Sequence, residues 1–200
     1  VCSNDKVYVE SNNQYNYIEE YVPFKFTIDT TLGSNAGPTF QLPLRDGYNY
    51  NFIVNWGDGT SDKITSFNQT ETNHTYLNDG QYQIYIWGKC ESIHFRNNND
   101  KEKLISVDDW GYTKFIDMSE AFYSCENLIN VNNTNNKWYE KLTKINTMFF
   151  NCTSLIDISG LKNISIPNIN NINNIFENCT SLTDISPLSS WDVSNVTDMS

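Results

Sequence analysis

The sequence is short of basic residues and has no long apolar run, and each absence argues against a class of partner. Lysine and arginine together number 13 against 24 aspartates and glutamates, which gives a net charge of −11. Binding to a nucleic-acid backbone depends on clustered Lys and Arg, so we expect no nucleic-acid partner. No stretch approaches the ~20 apolar residues of a membrane-spanning helix, so we expect no direct membrane insertion of this segment.

Motifs for catalysis are absent as well. The two histidines, His74 and His94, have no neighbours at metal-ligand or nucleophile spacing. The sequence contains no His-Glu-x-x-His, Gly-x-Ser-x-Gly, phosphate-loop or Cys-x-x-Cys motif. We expect His74 to be a hydrogen-bonded strand residue and His94 to be the exposed member of its strand. The sequence therefore predicts a protein that is not an enzyme and that needs no cofactor.

One acidic turn is a candidate calcium site. Asp58 lies between two glycines, and its carboxylate with that of Asp62 or Asp46 offers the oxygen ligands that calcium prefers. The alternative is a tight turn in which the glycines supply positive φ and Asp58 accepts hydrogen bonds from neighbouring amides. The sequence favours the turn, because the full spacing of a calcium loop is absent.

A 27-residue period runs through the second half of the chain. A strict period of this length is typical of a solenoid, in which each repeat buries its apolar side against its neighbours. Within a repeat the apolar residues recur every three positions, as at Leu155, Ile158 and Leu161, which predicts one short strand per repeat and indicates leucine-rich repeats. The most regular positions are Phe122, Phe149 and Phe176, then Cys125, Cys152 and Cys179, and then Leu128, Leu155 and Leu182.

The repeats resemble those of a known family. Residues 148–155 read Met-Phe-Phe-Asn-Cys-Thr-Ser-Leu, and residues 191–200 read Trp-Asp-Val-Ser-Asn-Val-Thr-Asp-Met-Ser. Both are similar to the repeat of the BspA-like leucine-rich-repeat surface proteins. The first copy departs from that pattern, with Ala121 in place of Met. The resemblance implies an extracellular, cell-surface protein.

The first half of the chain has no repeat and predicts short strands separated by turns. The segment Tyr82-Gln-Ile84-Tyr-Ile86 alternates strictly, so its apolar members should face one side. The turn 56–60, Trp-Gly-Asp-Gly-Thr, is followed by His-Thr-Tyr at 74–76 and Gly-Gln-Tyr at 80–82. These marks resemble a PKD-type immunoglobulin-like domain, which implies a β-sandwich.

The predicted fold class is therefore mainly β, with a PKD-like β-sandwich followed by a leucine-rich-repeat solenoid. We place the sandwich module at residues 1–96, a linker at 97–103 and the solenoid, about three and a half coils, at 104–200. The last repeat stops at Ser200, so we expect the natural protein to continue beyond it.

The five cysteines divide into two groups. Cys125, Cys152 and Cys179 occupy equivalent positions, where parallel Cα–Cβ vectors make a poor disulfide. We interpret them as a buried ladder of thiols that act as small apolar side chains. Cys2 and Cys90 form a possible disulfide within the first module, and the sequence leaves that pairing open.

Asparagine is abundant, with 30 residues, and it tolerates the left-handed backbone of tight corners. Several asparagines also head Asn-x-Ser/Thr sequons, which matter if the source glycosylates such sites. The number of sequons is close to what this composition gives by chance. The candidate glycosylation sites are Asn68, Asn73, Asn132, Asn163 and Asn195.

We expect a secreted, non-catalytic adhesion or display module that binds a protein or glycan on a host or neighbouring cell. Its ligand face would be the stripe of Asn130, Asp157 and Asp184, which recur at the repeat period. One alternative is a structural subunit that binds copies of itself in a fibre or surface layer. The other is an accessory segment of a larger extracellular enzyme.

Overall fold

The computed structural model describes residues 8–11, 14–17, 22–133, 141–162, 164 and 166–200. Within these residues the chain is mainly β, with short 3-10 turns and no longer helix. The strands are β1 (Tyr8–Ser11), β2 (Gln14–Tyr17), β3 (Phe24–Asp29), β4 (Thr39–Gln41), β5 (Tyr50–Asn55), β6 (Ser61–Ile64), β7 (Asn73–Thr75), β8 (Gln81–Cys90), β9 (Leu104–Asp109) and β10 (Asn130–Val131). The 3-10 turns are Thr70–Thr72, Lys101–Lys103, Ser159–Leu161 and Ser186–Ser190.

A mixed sheet of six strands dominates the fold, in the order β10-β9-β3-β8-β5-β6. All neighbours in this sheet are antiparallel except β9 and β10, which are parallel. Two smaller ladders, β1 with β2 and β4 with β7, are also antiparallel. The sheet therefore takes four strands from the non-repetitive half of the chain and two from the repeats.

Alternating apolar residues explain why the central strands form and which face they bury. In β3 the side chains of Phe24, Phe26 and Ile28 are buried while their neighbours are partly exposed. In β8 the alternation at Ile84 and Ile86 has the same result, so the prediction that these residues face one side is confirmed. Side chains that alternate along a strand point to opposite faces, so one face of the sheet packs into the core.

The 27-residue repeats stack on one another through backbone hydrogen bonds and rings. The amide of Phe122 donates to the Met148 carbonyl at 2.9 Å, and that of Phe149 donates to the Ile175 carbonyl at 3.0 Å. The ring centroids of Phe122 and Phe149 lie 5.3 Å apart, and those of Phe149 and Phe176 lie 5.5 Å apart. The phenylalanines that recur every 27 residues in the sequence therefore form a continuous column of stacked rings.

Each repeat turns through residues with left-handed backbone. Glu120, Thr147 and Asn174, spaced one repeat apart, have φ of 57°, 52° and 51°. A second series one turn later, Ser124, Asn151 and Asn178, has φ of 56°, 59° and 60°. Asparagine tolerates this region better than most residues, which gives part of the abundant asparagine a structural role.

The predicted fold class, a β-sandwich followed by a solenoid, is wrong. The six-stranded sheet is mixed and runs from the first half of the chain into the repeats, and the described repeats form no closed solenoid. After β9, the described part of the chain adds one two-residue strand and isolated parallel bridges, and not one strand per repeat. The physical reason is that two left-handed residues and a 3-10 turn in a repeat leave little extended backbone.

The left-handed corners predict a reciprocal effect of exchanging Thr and Asn. Thr147→Asn should raise the free energy of unfolding by about 1 kcal/mol, because a β-branched residue is strained at positive φ. The matched change Asn174→Thr, at the same position of the next repeat, should lower it by a similar amount. Urea unfolding of both variants measures the two effects, and destabilisation by Thr147→Asn at an unchanged m-value would contradict this explanation.

Candidate functional site

A buried carboxylate joins the loop before β5 to the first two repeats. Asp117, 1% exposed, accepts hydrogen bonds at Oδ1 from the Ser119 amide (2.8 Å) and hydroxyl (2.6 Å). Its Oδ2 accepts a short hydrogen bond from the Tyr48 hydroxyl and lies 3.3 Å from Lys144 Nζ and 3.7 Å from Arg45 Nη1. Asp117 also forms a parallel bridge with Lys144 of the next repeat.

These contacts fix the charges of the cluster. Burial opposes ionisation of Asp117, but the hydrogen bonds from Ser119 and Tyr48 outweigh it and hold the pKa of that carboxyl below its usual value. Burial and the Asp117 carboxylate raise the pKa of Tyr48 to about 12. At neutral pH Asp117 is therefore ionised and Tyr48 is protonated.

A second polar cluster lies beside the first. Glu120 accepts from His94 Nε2 at 2.9 Å and forms an ion pair with Arg96. The guanidinium of Arg96 also lies 5.0 Å from the centre of the Tyr123 ring. Burial, followed by the charges of Arg45 and Arg96, lowers the pKa of His94 to about 4. The neutral imidazole carries its proton on Nε2, because the ionised carboxylate can only accept.

An open groove runs along these clusters, between the loop 41–46, the segment 67–73 that connects β6 to β7, and the segment 94–98. Its first part has a volume of about 340 Å³ and its second part, which reaches Glu120, has a volume of about 660 Å³. The two parts share four residues, so we treat them as one groove. The shared residues are Leu44, Phe67, His94 and Asn97.

Uncharged carboxamides line the first part of the groove. No hydrogen bond within the described residues reaches the side-chain carboxamide of Gln41 or Asn97, and both residues are exposed. Asn68 accepts from the Ser66 hydroxyl at 2.6 Å and keeps its amide hydrogens available, while Asn73 donates to Thr72 and keeps its oxygen available. Phe67 packs against the core with part of its ring exposed.

The backbone edge beside the groove is already occupied by side chains. Asp100 Oδ2 accepts from the Gln41 amide at 2.8 Å, and Asn98 Nδ2 donates to the Gln41 carbonyl at 3.1 Å. Lys103, 1% exposed, donates to the Thr39 carbonyl at 2.7 Å and forms an ion pair with Asp100 at 2.9 Å. The outer edge of β4 is thus capped and cannot pair with another strand.

The predicted ligand stripe lies elsewhere. Asn130 and Asp157 form a parallel bridge, so they are stacked as the period requires. Asp157 and Asp184 are exposed, and each accepts a 2.8 Å hydrogen bond from the amide two residues later. Asn130 is half-buried and accepts from Asn132 Nδ2 at 2.9 Å. One acceptor of each side chain is therefore engaged in a local turn, and none of the three residues lines the groove.

The candidate calcium turn is held by protein contacts. Asp58 accepts from the Thr60 amide at 2.9 Å and hydroxyl at 2.6 Å, and its other oxygen lies 2.8 Å from His74 Nε2. Burial opposes its ionisation, but the bonds from Thr60 lower the pKa of Asp58. The His74 ring stacks on Trp56 at 4.6 Å. Among the described residues, no group of three or more His, Cys, Asp or Glu side chains is arranged to hold a metal ion.

The cysteines of the repeats are buried free thiols. Cys152 and Cys179 donate to the carbonyls of Phe122 and Phe149, at 3.1 and 3.0 Å. Burial raises the pKa of Cys125 and of Cys152 well above the usual value and that of Cys179 to about 11. Cys90 is buried as well, and Cys2 lies outside the described residues, so a disulfide between them stays a prediction.

The candidate glycosylation sites differ in exposure. Asn68, Asn73 and Asn195 are exposed, Asn132 is half-buried, and Asn163 lies outside the described residues. Asn195 donates to the Pro167 carbonyl at 3.0 Å. Asn68 and Asn73 lie on the wall of the groove.

The groove contains residues that the sequence analysis did not single out, such as Arg45, Phe67 and Asn97. They come from three loops outside the periodic region, and no spacing in the sequence connects them. His94 was expected to be exposed but is half-buried, because the 94–98 segment packs against the loop 41–46. The sequence does indicate one part of the groove. The run of three asparagines at 97–99 has no apolar alternation, which favours a polar loop over a strand at that position.

The low pKa of His94 predicts a pH dependence of stability. The ordinary pKa of 6.5 falls to about 4 in the folded protein. Between these two pKa values the unfolded chain binds more protons than the folded protein does, so the free energy of unfolding decreases as the pH is lowered through this range. Wild type should lose about 1 kcal/mol more than His94→Gln between pH 7 and pH 4.5, because solvent and the Glu120 carboxylate reduce the effect at this half-buried side chain. Urea titrations at both pH values test this, and parallel losses in the two proteins would exclude His94 as the cause.

Comparison with known proteins places the chain in a family. No curated protein and no solved structure matches it. In the described part of the chain, no helix has the length and apolar character that crossing a membrane requires. The model of the family described as "Mycoplasma protein of unknown function, DUF285" matches residues 91–200, more than half of the chain. The chain therefore belongs to that family.

Proposed function

We propose that this protein is a non-catalytic binding module, displayed on a cell surface, that holds a glycan or protein partner in the groove. The observation that carries the proposal is the set of carboxamides there, of which Gln41 and Asn97 have no hydrogen-bond partner among the described residues. Uncharged groups with both donors and acceptors can recognise a ligand without taking part in chemistry.

The ionisable groups beside the groove favour binding over catalysis. A general acid or base works best with a pKa near the operating pH. Here the pKa of Asp117 is lowered, that of His94 is about 4 and that of Tyr48 is about 12. The carboxylate of Glu120 is engaged by His94 and Arg96. These groups keep fixed charges at neutral pH and act as a scaffold for the groove.

The groove walls are held in place by backbone hydrogen bonds. The Leu42 amide donates to the Thr72 carbonyl at 2.8 Å, and the His94 amide donates to the Pro43 carbonyl at 2.7 Å. The Phe95 amide donates to Ala121 of the first repeat at 3.1 Å. A preorganised site loses less conformational entropy on binding, which suits recognition of a polar ligand.

The placement at a cell surface rests on the resemblance of two sequence motifs. Residues 148–155 and 191–200 are similar to the repeat of the BspA-like surface proteins. The net charge of −11 is also compatible with an extracellular protein, because it favours solubility. The groove replaces the stripe of Asn130, Asp157 and Asp184 as the proposed ligand face.

A binding screen with a matched substitution tests the proposal. Protein made without glycosylation is applied to an array of defined glycans and immobilised extracellular-matrix proteins. Wild type should bind at least one component saturably, and Asn97→Arg should weaken this binding at least about tenfold by filling the groove. Asn78→Arg, the same change at an exposed turn outside the groove, should bind as wild type does.

Three results would contradict the proposal. The first is the absence of saturable binding to every component of the array, and the second is equal binding by Asn97→Arg and wild type. The third is cleavage or modification of a bound component during prolonged incubation, detected by mass spectrometry, because a binding module leaves its partner unchanged.

A further inference from the structure

We infer that the groove binds a short neutral oligosaccharide, an assignment that rests on the proposed binding function. Each carboxamide offers an acceptor oxygen and a donor NH₂ group side by side. Two adjacent sugar hydroxyls can donate to the first and accept from the second. Gln41 and Asn97 present such groups to the first part of the groove, and Asn68 adds its amide hydrogens and Asn73 its oxygen.

The size and the aromatic residue of the groove fit this ligand. Its first part, about 340 Å³, lies within the usual range of small-ligand sites, about 300–1,000 Å³. Phe67 lines both parts of the groove and is partly exposed. An aromatic ring provides apolar surface for the C–H face of a pyranose while the amides bind its hydroxyls.

The charges of the groove disfavour an acidic ligand. Arg45 donates to Ser119 at 3.1 Å and lies 3.7 Å from the Asp117 carboxylate, and Arg96 forms an ion pair with Glu120. An anionic sugar or phosphate would have to compete with these carboxylates for the guanidinium groups. The chain as a whole also carries a charge of −11, which repels anions.

The capped edge of β4 disfavours an extended peptide. Peptides commonly bind by adding a strand to an open sheet edge. Here the Gln41 amide and carbonyl are bonded to Asp100 and Asn98, and the Thr39 carbonyl is bonded to Lys103. The groove therefore presents side-chain amides to a ligand in place of a free backbone edge, which favours a glycan over a peptide strand.

The two sequons on the groove wall have a consequence for this site. Asn68 begins Asn-Gln-Thr and Asn73 begins Asn-His-Thr, and both residues line the groove. A glycan attached to either residue would occupy the space that the ligand needs. Binding must therefore be measured on protein made without glycosylation.

Titration with defined sugars tests the inference. The probes are N-acetylchitotriose, mannotriose and maltotriose, with sialyllactose as the acidic comparison and an extended Ala-Thr peptide as the peptide comparison. At least one neutral probe should bind saturably by calorimetry and shift the side-chain NH₂ signals of Gln41 and Asn97 in ¹H–¹⁵N spectra. Neither comparison ligand should do so.

Variants assign the binding to the groove. Asn97→Ala and Gln41→Ala should each weaken the bound neutral probe about tenfold, because exposed carboxamides can be removed with little effect on folding. Asn78→Ala removes a carboxamide from an exposed turn outside the groove and should leave the affinity unchanged. Thermal unfolding of all three variants verifies that they are folded.

The outcomes separate this inference from the proposed function. Suppose that the array finds a protein or acidic-glycan partner whose binding Asn97→Arg abolishes, and that no neutral probe binds. The inference is then overturned and the proposed binding function stands. If neutral probes bind equally to wild type, Asn97→Ala and Gln41→Ala, the site is elsewhere and the inference fails. If nothing on the array or among the probes binds, both are overturned.

Discussion

The antiparallel pairing of β9 with β3 is the contact on which the rest of the structure depends. A single repeat cannot bury its apolar side alone, so the first one needs a surface to pack on. The β9–β3 ladder supplies it by extending the sheet into the repeats. Across this junction the Phe24 ring lies 6.0 Å from Trp110 and 5.3 Å from Phe115. The core is consequently one continuous cluster from Phe24 to Cys179.

Two buried carboxylates then connect loops to that core, and their burial is tolerated because each has several partners. An isolated buried charge is very costly, and a paired one is tolerated when hydrogen bonds satisfy its remaining lone pairs. Asp117 has Ser119, Tyr48 and two basic side chains, and Asp100 has Lys103, the Gln41 amide and Asn35. Together they fix the loop 41–46 at both ends. The groove is therefore shaped by electrostatic contacts beneath it. Uncharged amides line its first part, and charged side chains such as Arg45 and Glu120 line its second part.

The local features could be predicted from the sequence, whereas the long-range pairing could not. The 27-residue register placed Phe122, Phe149 and Phe176 in one column, and the alternation at Ile84 and Ile86 gave the buried face of β8. Both follow from spacing within a short stretch. The β9–β3 partnership joins residues about 80 positions apart, and nothing in either segment specifies the other, so the fold class was wrong. The groove was missed for the same reason, because three separated loops form it.

The position of Glu120 shows how the repeat and the groove are coupled. Left-handed backbone is costly for a residue such as Glu and is often retained at functional sites. Thr147 and Asn174 have the same backbone one and two repeats later without lining the groove, so repeat geometry and not ligand binding imposes this conformation. What is specific to Glu120 is its side chain, which engages His94 and Arg96 on the groove wall. The repeat geometry thus fixes the backbone position of Glu120, and the contacts with His94 and Arg96 hold its carboxylate at the groove. Any shift in the repeat register would therefore move a wall of the proposed ligand site.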